Sequence, residues 1–236
     1  MKSSPNFNER YFKKVSGRII ILLLLFIGAL GLFTIISHEV LWDKEEELDH
    51  NVFEFLAEHV VSPSLTPFME TVTYFASSSF LQIAYGLVIL LYLIRKNWKR
   101  ALEIGVIGIG GFLVNYIMKL SFQRVRPSGP LIDPLHNFSF PSGHATSGFI
   151  FYGLLVYLIW KAEIPRIYKY LIGFLLILFA LLIGFSRVYL RVHYPTDVIA
   201  GFCIGLAWLM LCIWLLEKLK KKSNMELEAS RHHKAI

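Results

Sequence analysis

Long apolar stretches separated by short polar segments run through the whole chain. Six of them approach or exceed the roughly 20 helical residues that are needed to cross a bilayer core. We place them at about 19–37, 71–94, 101–122, 145–160, 168–186 and 197–216. The fourth is short and would need a thin patch of bilayer or help from its flanks. The pattern predicts an all-α integral membrane bundle of six transmembrane helices.

The composition agrees with a membrane location. Hydrophobic residues make up 55% of the 236 positions, and the mean hydropathy is +0.54. A water-soluble core of ordinary composition cannot bury that much apolar surface. The chain has no internal repeat and no linker long enough to separate two domains, so we predict a single membrane-embedded domain over residues 1–236.

The first apolar stretch follows a basic segment, residues 1–18, and this order is also typical of a signal peptide. The apolar run is too long for one, however, and no cleavage site of small residues precedes the acidic segment at 38–70. We therefore predict that the first helix is retained.

Basic residues indicate the orientation, because Lys and Arg near helix ends collect on the cytoplasmic side of a membrane. A cytoplasmic N-terminus places 18 of the 24 basic residues inside, including those of the tail at 217–236. We therefore expect both termini in the cytoplasm, and the acidic segment 38–70 outside. A multi-pass protein of the cell membrane is the predicted localisation.

Within the acidic segment, apolar residues recur at helical spacing at Val52, Phe53, Leu56 and Val60. This spacing is compatible with an interfacial helix and, about equally, with a solvated loop. A helix here would be a candidate lid or substrate guide.

The third stretch carries Gly105, Gly108, Gly110 and Gly111. A dinucleotide-binding loop would need a preceding strand and a polar turn, so we predict close helix packing instead. Cys203 and Cys212 are interpreted as small packing residues.

Three polar segments carry the candidate chemistry, and the first contains Lys119, Arg126 and Pro127. Proline restrains the preceding backbone, so it fixes where the Arg126 guanidinium projects. A guanidinium fork suits two phosphate oxygens, whereas Lys119 offers a mobile point charge. Taken alone, Lys119 would be a snorkelling interfacial lysine. Arg124 is expected to be solvated.

The second segment, Pro141-Ser142-Gly143-His144, leads directly into the fourth apolar stretch. Ser142 is a good N-cap, and the unpaired N–H groups of a first helical turn form an anion site. Gly143 would let the backbone approach a ligand, with His144 at the rim. Taken alone, the tetrapeptide would be an N-cap beside a solvent-facing histidine.

The third segment contains Ser186, Arg187, His193 and Asp197. Pro195 suits the first position of a helix, which places Asp197 in the first turn and His193 just before it. The carboxylate can then accept a hydrogen bond from His193 Nδ1, leaving Nε2 free to act as a nucleophile. Ser186 is expected to be structural.

A metal site is an alternative, since His136, His144, His193 and Asp197 could converge. No pair of them has the His-x-x-x-His spacing, however, and nearby cations would repel a divalent ion. We predict no metal and no cofactor, and we expect no nucleic-acid partner.

Taken together and in this order, the three segments resemble the signature of the type 2 phosphatidic acid phosphatase superfamily. The matching patterns are Lys119-x6-Arg126-Pro127, Pro141-Ser142-Gly143-His144 and Ser186-Arg187-x5-His193-x3-Asp197. The resemblance implies that His193 forms a phosphohistidine, that Asp197 orients it, and that His144 protonates the leaving alcohol. It also implies that the phosphoryl oxygens are bound by Lys119, Arg126, Arg187, Ser142 and the Gly143 backbone.

The implied activity is metal-independent removal of the terminal phosphate of a membrane lipid on the extracytoplasmic side. The helical layout is most similar to the bacterial membrane branch of the family, which favours phosphatidylglycerophosphate as the substrate and phosphatidylglycerol as the product. Undecaprenyl diphosphate, diacylglycerol pyrophosphate and phosphatidic acid remain alternatives, as does a lipid-phosphate transporter that does not need the histidines. A vanadate-dependent haloperoxidase is disfavoured by the membrane helices.

Overall fold

The fold is helical throughout the part of the chain that the structure describes. The computed structural model describes residues 7–40, 47–133, 135 and 137–234, and within them the side chains of 20–40, 47–133, 135 and 137–220. These ranges contain no strand. The helices are α1 (Phe7–His38), α2 (Glu47–His59), α3 (Thr66–Tyr74), α4 (Ser78–Ile94), α5 (Trp98–Phe122), α6 (Gly143–Lys161), α7 (Arg166–Tyr189) and α8 (Pro195–Lys234).

Five of these helices, α1, α5, α6, α7 and α8, are long and apolar enough to cross a membrane. Helices α3 and α4 meet at a short break with a bend of 42° and form a sixth span when they are counted together. The predicted six-helix membrane bundle is therefore confirmed, with its second span divided in two. Helix α6 is 19 residues long, so it needs no thinned bilayer.

Large apolar side chains cover the outside of the bundle. Ile94 is 70% exposed and Leu102 is 69% exposed, and long rows of similar residues lie along α1, α4, α5 and α7. A contiguous apolar surface of this extent is costly in water and favourable against lipid. The exposed surface thus agrees with the membrane assignment from the sequence.

Helix α6 lies at the centre of the bundle and packs against α5, α7 and α8. Its approach to α8 is unusually close. A Cβ atom on Gly201 would lie 2.9 Å from the backbone oxygen of Ser142, and one on Gly205 would lie 3.0 Å from that of Thr146. Small residues four apart allow helix backbones to meet in this way. This Gly-x-x-x-Gly pair was not among the features predicted from the sequence.

The glycines of α5 have the packing role that the sequence predicted. A Cβ atom would meet Tyr85 at Gly108, Trp208 at Gly110 and Ile150 at Gly111, in each case at less than 3.0 Å. The two cysteines, Cys203 and Cys212, are buried and free, as expected of packing residues.

Of the two alternatives for the segment around Val52 to Val60, the structure shows the helix, which is α2. Phe53 and Leu56 are buried in one cluster with Ala145, Val188 and Val198. The helix therefore lies against α7 and α8, beside the start of α6.

Candidate active site

Most of the predicted site residues lie at one end of the bundle, where α5 ends and α6 begins. Lys119, Arg126, Gly143, His144 and His193 all line the same cavity, which has a volume of about 820 Å³. The two histidines that the sequence placed 49 positions apart therefore open into a common space.

The other predicted residues are buried behind this cavity. Ser142 and Asp197 are inaccessible to solvent, and Arg187 is 2% exposed. Arg187 nevertheless lies within electrostatic range of both His144 and His193. All eight predicted residues thus belong to one region of the fold.

Two helix starts form the framework of the site. Ser142 is the N-cap of α6, and its Oγ accepts a hydrogen bond from Ala145 N at 3.4 Å. Helix α8 begins at Pro195, with Asp197 in its first turn. Both features were predicted from the sequence. The two starts are joined directly, because Ser142 N donates to the backbone oxygen of Asp197 at 3.0 Å.

The predicted contact between His193 and Asp197 is present, with Nδ1 and Oδ2 3.3 Å apart. The same carboxylate oxygen accepts a hydrogen bond from Tyr194 N at 2.9 Å and another from the Ser139 hydroxyl. Ser139 Oγ also lies 3.3 Å from His193 Nδ1. Ser139 was not predicted from the sequence to be part of the site.

Arg126 determines which nitrogen of His193 carries the proton. Its Nη1 lies 3.2 Å from His193 Nε2. A guanidinium group can only donate hydrogen bonds, so Nε2 must accept. The proton of the neutral ring is therefore on Nδ1, where it faces Asp197, and the lone pair of Nε2 faces Arg126, in the wall of the cavity that both residues line.

The remaining donors of Arg126 hold its guanidinium in place. Nε donates to the backbone oxygen of Asn137 at 2.8 Å, and Nη2 donates to the Asn137 side chain. Nη1 also donates to the backbone oxygen of Val192. The arginine thus connects the segment before α6 to the segment before α8.

Burial and nearby cations keep His193 neutral. Burial is the largest cause, followed by Arg126, Lys119 and Arg187, and together they lower the pKa of His193 well below 6.5. Burial also lowers the pKa of Arg126 to about 10, against the opposing effect of Asp197, so the guanidinium is still charged at neutral pH. An uncharged imidazole beside fixed positive charges is the form that a nucleophile for an anionic group requires.

Arg187 offers hydrogen-bond donors that the described residues do not use. Its Nη1 donates to Thr73 Oγ1 on α3 at 2.8 Å, whereas its buried Nε and Nη2 have no hydrogen-bond partner among those residues. Buried, unpaired donors on a cation are costly, and an anion beside them would satisfy both. Nothing in the sequence pointed to Thr73 as the residue that holds Arg187.

Lys119 and Gly143 are packed together. Lys119 Nζ donates to the backbone oxygens of Phe138 and Ser139, at 2.5 and 3.2 Å. A Cβ atom on Gly143 would lie 3.7 Å from Lys119 Cε and only 3.3 Å from Asn115 Oδ1. A methyl group at this position would be tight against Asn115, which would have to shift by a few tenths of an ångström to admit it.

Arg124 contradicts the expectation that it is solvated. It is buried, and its two terminal nitrogens donate to two carboxylates, Nη1 to Asp197 Oδ1 and Nη2 to Asp49 Oδ2, both at 2.8 Å. The partners lie 73 and 75 positions away in sequence. Local sequence could not reveal them, because they meet only when α2 and α8 pack.

The metal alternative has no support in the side chains that the structure describes. Within the described ranges, no three His, Cys, Asp or Glu side chains are grouped so that they could hold an ion. His136, one of the four candidate ligands, lies outside those ranges.

Sequence comparison assigns the class of protein. Residues 100–221 match the PAP2 superfamily, and this match covers more than half of the chain and all eight predicted site residues. The chain belongs to the PAP2 superfamily.

Individual relatives narrow the class to membrane lipid phosphatases. The chain is 35% identical over 165 residues to phosphatidylglycerophosphatase B of Bacillus subtilis, covering 67% of this chain and 79% of the relative. It is 34% identical over 132 residues to an undecaprenyl-diphosphatase of the same organism, covering 52% and 63%.

A solved structure agrees with the sequence matches. The fold superimposes on the crystal structure of a transmembrane PAP2-type phosphatidylglycerolphosphate phosphatase from Bacillus subtilis with a TM-score of 0.74 and 29% identity. The superposition covers 83% of this chain and 97% of the other. The protein is thus a multi-pass membrane phosphatase of the PAP2 lipid phosphatase family.

Proposed function

We propose that this protein removes the terminal phosphate of phosphatidylglycerophosphate, through a phosphohistidine on His193, and releases phosphatidylglycerol. The observation that carries the proposal is the state of the His193 ring, whose Nδ1 is turned to Asp197 and whose Nε2 accepts a hydrogen bond from Arg126 beside the cavity that His193 and His144 both line. The likeness to a phosphatidylglycerophosphatase supports the choice of substrate.

In the first step, the Arg126 N–H turns from His193 Nε2 to a phosphoryl oxygen, the freed lone pair of Nε2 attacks phosphorus, and a P–N bond forms. The P–O bond to the lipid breaks, and its electron pair stays on the lipid oxygen. His144 donates a proton to that oxygen, so that phosphatidylglycerol leaves with a neutral hydroxyl group and not as an alkoxide. Asp197 stabilises the positive charge that develops on the His193 ring.

In the second step, water attacks the phosphorus of the phosphohistidine. His144, now neutral, takes a proton from the water as the P–O bond forms and the P–N bond breaks. Inorganic phosphate is released, and the lone pair returns to His193 Nε2. The cycle leaves both histidines in their starting protonation states.

Fixed positive charges stabilise the phosphoryl group during both steps. Phosphoryl transfer depends mainly on positioning and on charge stabilisation. Arg126 Nη1 already lies 3.2 Å from the attacking nitrogen, and Arg187 has two buried donors without partners among the described residues. Lys119 and the N–H groups at the start of α6, after Ser142, complete the set.

The shape of the cavity suits a lipid substrate. From the cationic end it continues between α4 and α5, along residues that are mostly apolar. These include Tyr85, Gly86, Ile89, Gly105, Gly108, Ile109 and Phe112. An acyl chain can lie against this surface while the headgroup phosphate reaches the histidines. The distribution of basic residues supports an extracytoplasmic site, because the opposite end of the bundle carries most of them.

The decisive experiment measures phosphate release from phosphatidylglycerophosphate by purified protein in detergent. His193→Ala is expected to lose activity by at least about a thousandfold, since it removes a covalent nucleophile. His144→Ala should also be strongly impaired. His50→Ala is the matched control, because His50 is exposed on α2 and forms an ion pair with the equally exposed Glu54 at 3.1 Å.

The same assay separates the competing proposals. A transporter would bind and move the lipid with little phosphate release, and the histidine variants would match the wild type. Loss of wild-type activity on addition of a chelator would indicate a metal enzyme. With substrate labelled at the terminal phosphate, an acid-labile label should appear on wild-type protein and be absent from His193→Ala.

Undecaprenyl diphosphate is the second candidate substrate, and the 34% identity to an undecaprenyl-diphosphatase favours it. The cationic site contacts the phosphate that both lipids share, so a direct comparison is needed. In one detergent condition, kcat/KM should be highest for phosphatidylglycerophosphate in a panel with undecaprenyl diphosphate, diacylglycerol pyrophosphate and phosphatidic acid. A higher value for another lipid would identify that lipid as the substrate.

A further inference from the structure

A buried ion network lies directly beside the histidine–aspartate pair and is not used in the mechanism above. Asp197 holds His193 through Oδ2, while its other oxygen, Oδ1, accepts a hydrogen bond from Arg124 Nη1 at 2.8 Å. The guanidinium also lies over the ring of Tyr194, with Cζ 3.8 Å from the ring centroid. Arg124 therefore contacts both the orienting carboxylate and the turn that carries His193.

Asp49 completes the network from helix α2. Its Oδ2 accepts a hydrogen bond from Arg124 Nη2 at 2.8 Å and one from Thr196 Oγ1 at 2.7 Å. Its Oδ1 accepts from Thr196 N at 2.9 Å. Thr196 is in the first turn of α8, next to Asp197. The first turn of α2 is thus joined to the first turn of α8 by four buried groups.

The burial of these charges makes the network sensitive to the loss of any member. Asp49 is 1% exposed and Arg124 is 8% exposed. A buried charge is tolerated only when it is paired and fully hydrogen-bonded, and removal of one partner leaves the other uncompensated. Without Arg124, two buried carboxylates would remain and Oδ1 of Asp197 would lose its cation. Without Asp49, Arg124 would lose one of the two carboxylates that it contacts among the described residues.

We propose that Arg124 and Asp49 are positioning residues that hold Asp197 in the orientation in which it receives the proton of His193 Nδ1. Helix α2 is then a fixed part of the catalytic machinery, and not the lid that its place in the sequence suggested. This inference rests on the proposed phosphohistidine mechanism. Neither residue touches the substrate, since both act through Asp197.

The test uses Asp49→Asn, Arg124→Lys and Arg124→Met in the full-length protein. Asp49→Asn keeps the shape of the side chain and removes its charge, and is expected to lower kcat about 10- to 100-fold with KM within about twofold. Arg124→Met should be the most damaging variant. Arg124→Lys should recover part of kcat, because a point charge can pair with one carboxylate but cannot bridge two.

A single-turnover measurement separates positioning from simple loss of folded protein. With protein in saturating excess over phosphatidylglycerophosphate labelled at the terminal phosphate, the rate constant at which the label leaves the lipid reports the chemistry of the competent sites. It does not depend on how many protein molecules are competent, as long as these remain in excess. A positioning role predicts a smaller rate constant. A purely structural role predicts an unchanged rate constant and a smaller yield of folded protein.

Glu54→Gln is the matched control, because Glu54 is an exposed carboxylate on the same helix. It should label as the wild type does. A wild-type single-turnover rate constant in both Asp49→Asn and Arg124→Lys would overturn the inference, even where the yield of folded protein falls. Failure of the proposed function itself has a different signature, since wild-type protein would then not label or His193→Ala would label as well.

Discussion

His193 is held from both sides, and its two nitrogens therefore have different roles. On one side, Asp197 and Ser139 surround Nδ1, and on the other side Arg126 lies 3.2 Å from Nε2. The arginine is a cation as well as a donor, so it influences protonation as well as orientation. The charge state of the ring is consequently a property of its neighbours.

The pH dependence of the reaction follows from this environment. The proposed nucleophile must be unprotonated, so we expect activity to be lost as pH falls through the pKa of His193. Burial and the cations lower that pKa well below 6.5, so we expect the acid limb of kcat/KM to lie below pH 6.5. Arg126→Gln removes one lowering charge and should move the limb to higher pH, while burial still keeps it below 6.5.

The profile should be measured at constant ionic strength with Arg95→Gln as a control, because Arg95 is exposed at the opposite end of α4. The activity of Arg126→Gln will also fall because a cation that stabilises the phosphoryl group is lost. Only the pH at which the acid limb lies is therefore informative. A limb that stays in place or moves to lower pH would contradict the assignment of His193 as the titrating nucleophile.

Contacts between residues that are close in sequence were predictable, and contacts between residues far apart in sequence were not. The contact of His193 with Asp197 follows from four-residue spacing around a proline that starts a helix. The two carboxylates described beside Arg124, and the Thr73 hydroxyl beside Arg187, lie 73 to 114 positions away. No local pattern identifies such partners, since they are brought together only by helix packing.

At the scale of helices, the close contact of α6 with α8 brings the two histidines together. Ser142 N donates a hydrogen bond to the backbone oxygen of Asp197. A Cβ atom on Gly201 would lie only 2.9 Å from the backbone oxygen of Ser142. The glycine therefore sets the distance between the segment that carries His144 and the segment that carries His193.

Gly201→Ala should separate the two helix starts. The added methyl group would force the backbones apart, and overpacking of this kind costs about 1–3 kcal/mol. We expect a lower unfolding temperature in detergent, together with a reduced kcat. Gly31→Ala on α1 is the control, because nothing lies within 4 Å of its Cβ position. Unchanged kcat in Gly201→Ala would mean that this close contact does not position the site.

At the scale of the whole molecule, charge is distributed unevenly between the two ends of the bundle. The sequence assigns 18 of the 24 basic residues to the end opposite the site, whereas the cations at the site end include Lys119 and Arg126, which line the cavity, and the buried Arg187. This asymmetry favours an orientation in which phosphate is removed outside the cytoplasm.

Single cysteines test that orientation. Ser128 lies in the loop before α6, Arg95 lies between α4 and α5, and both residues are exposed. Each is replaced by Cys in turn, in a protein in which Cys203 and Cys212 have been replaced by Ala. An impermeant maleimide should label Ser128→Cys on intact cells and Arg95→Cys only after permeabilisation. The reverse pattern would place the site in the cytoplasm.

Local sequence was enough to predict the membrane spans, the helix starts at Ser142 and Pro195, the pairing of His193 with Asp197, and the order of the three segments. Each of these depends on residue spacing along one helix or on the length of an apolar stretch, and both can be read from neighbouring residues. Only the tertiary structure placed His144 and His193 on one cavity, buried Arg124 between two carboxylates and set Thr73 against Arg187. These contacts join distant parts of the chain, and their geometry depends on how closely the helices can pack.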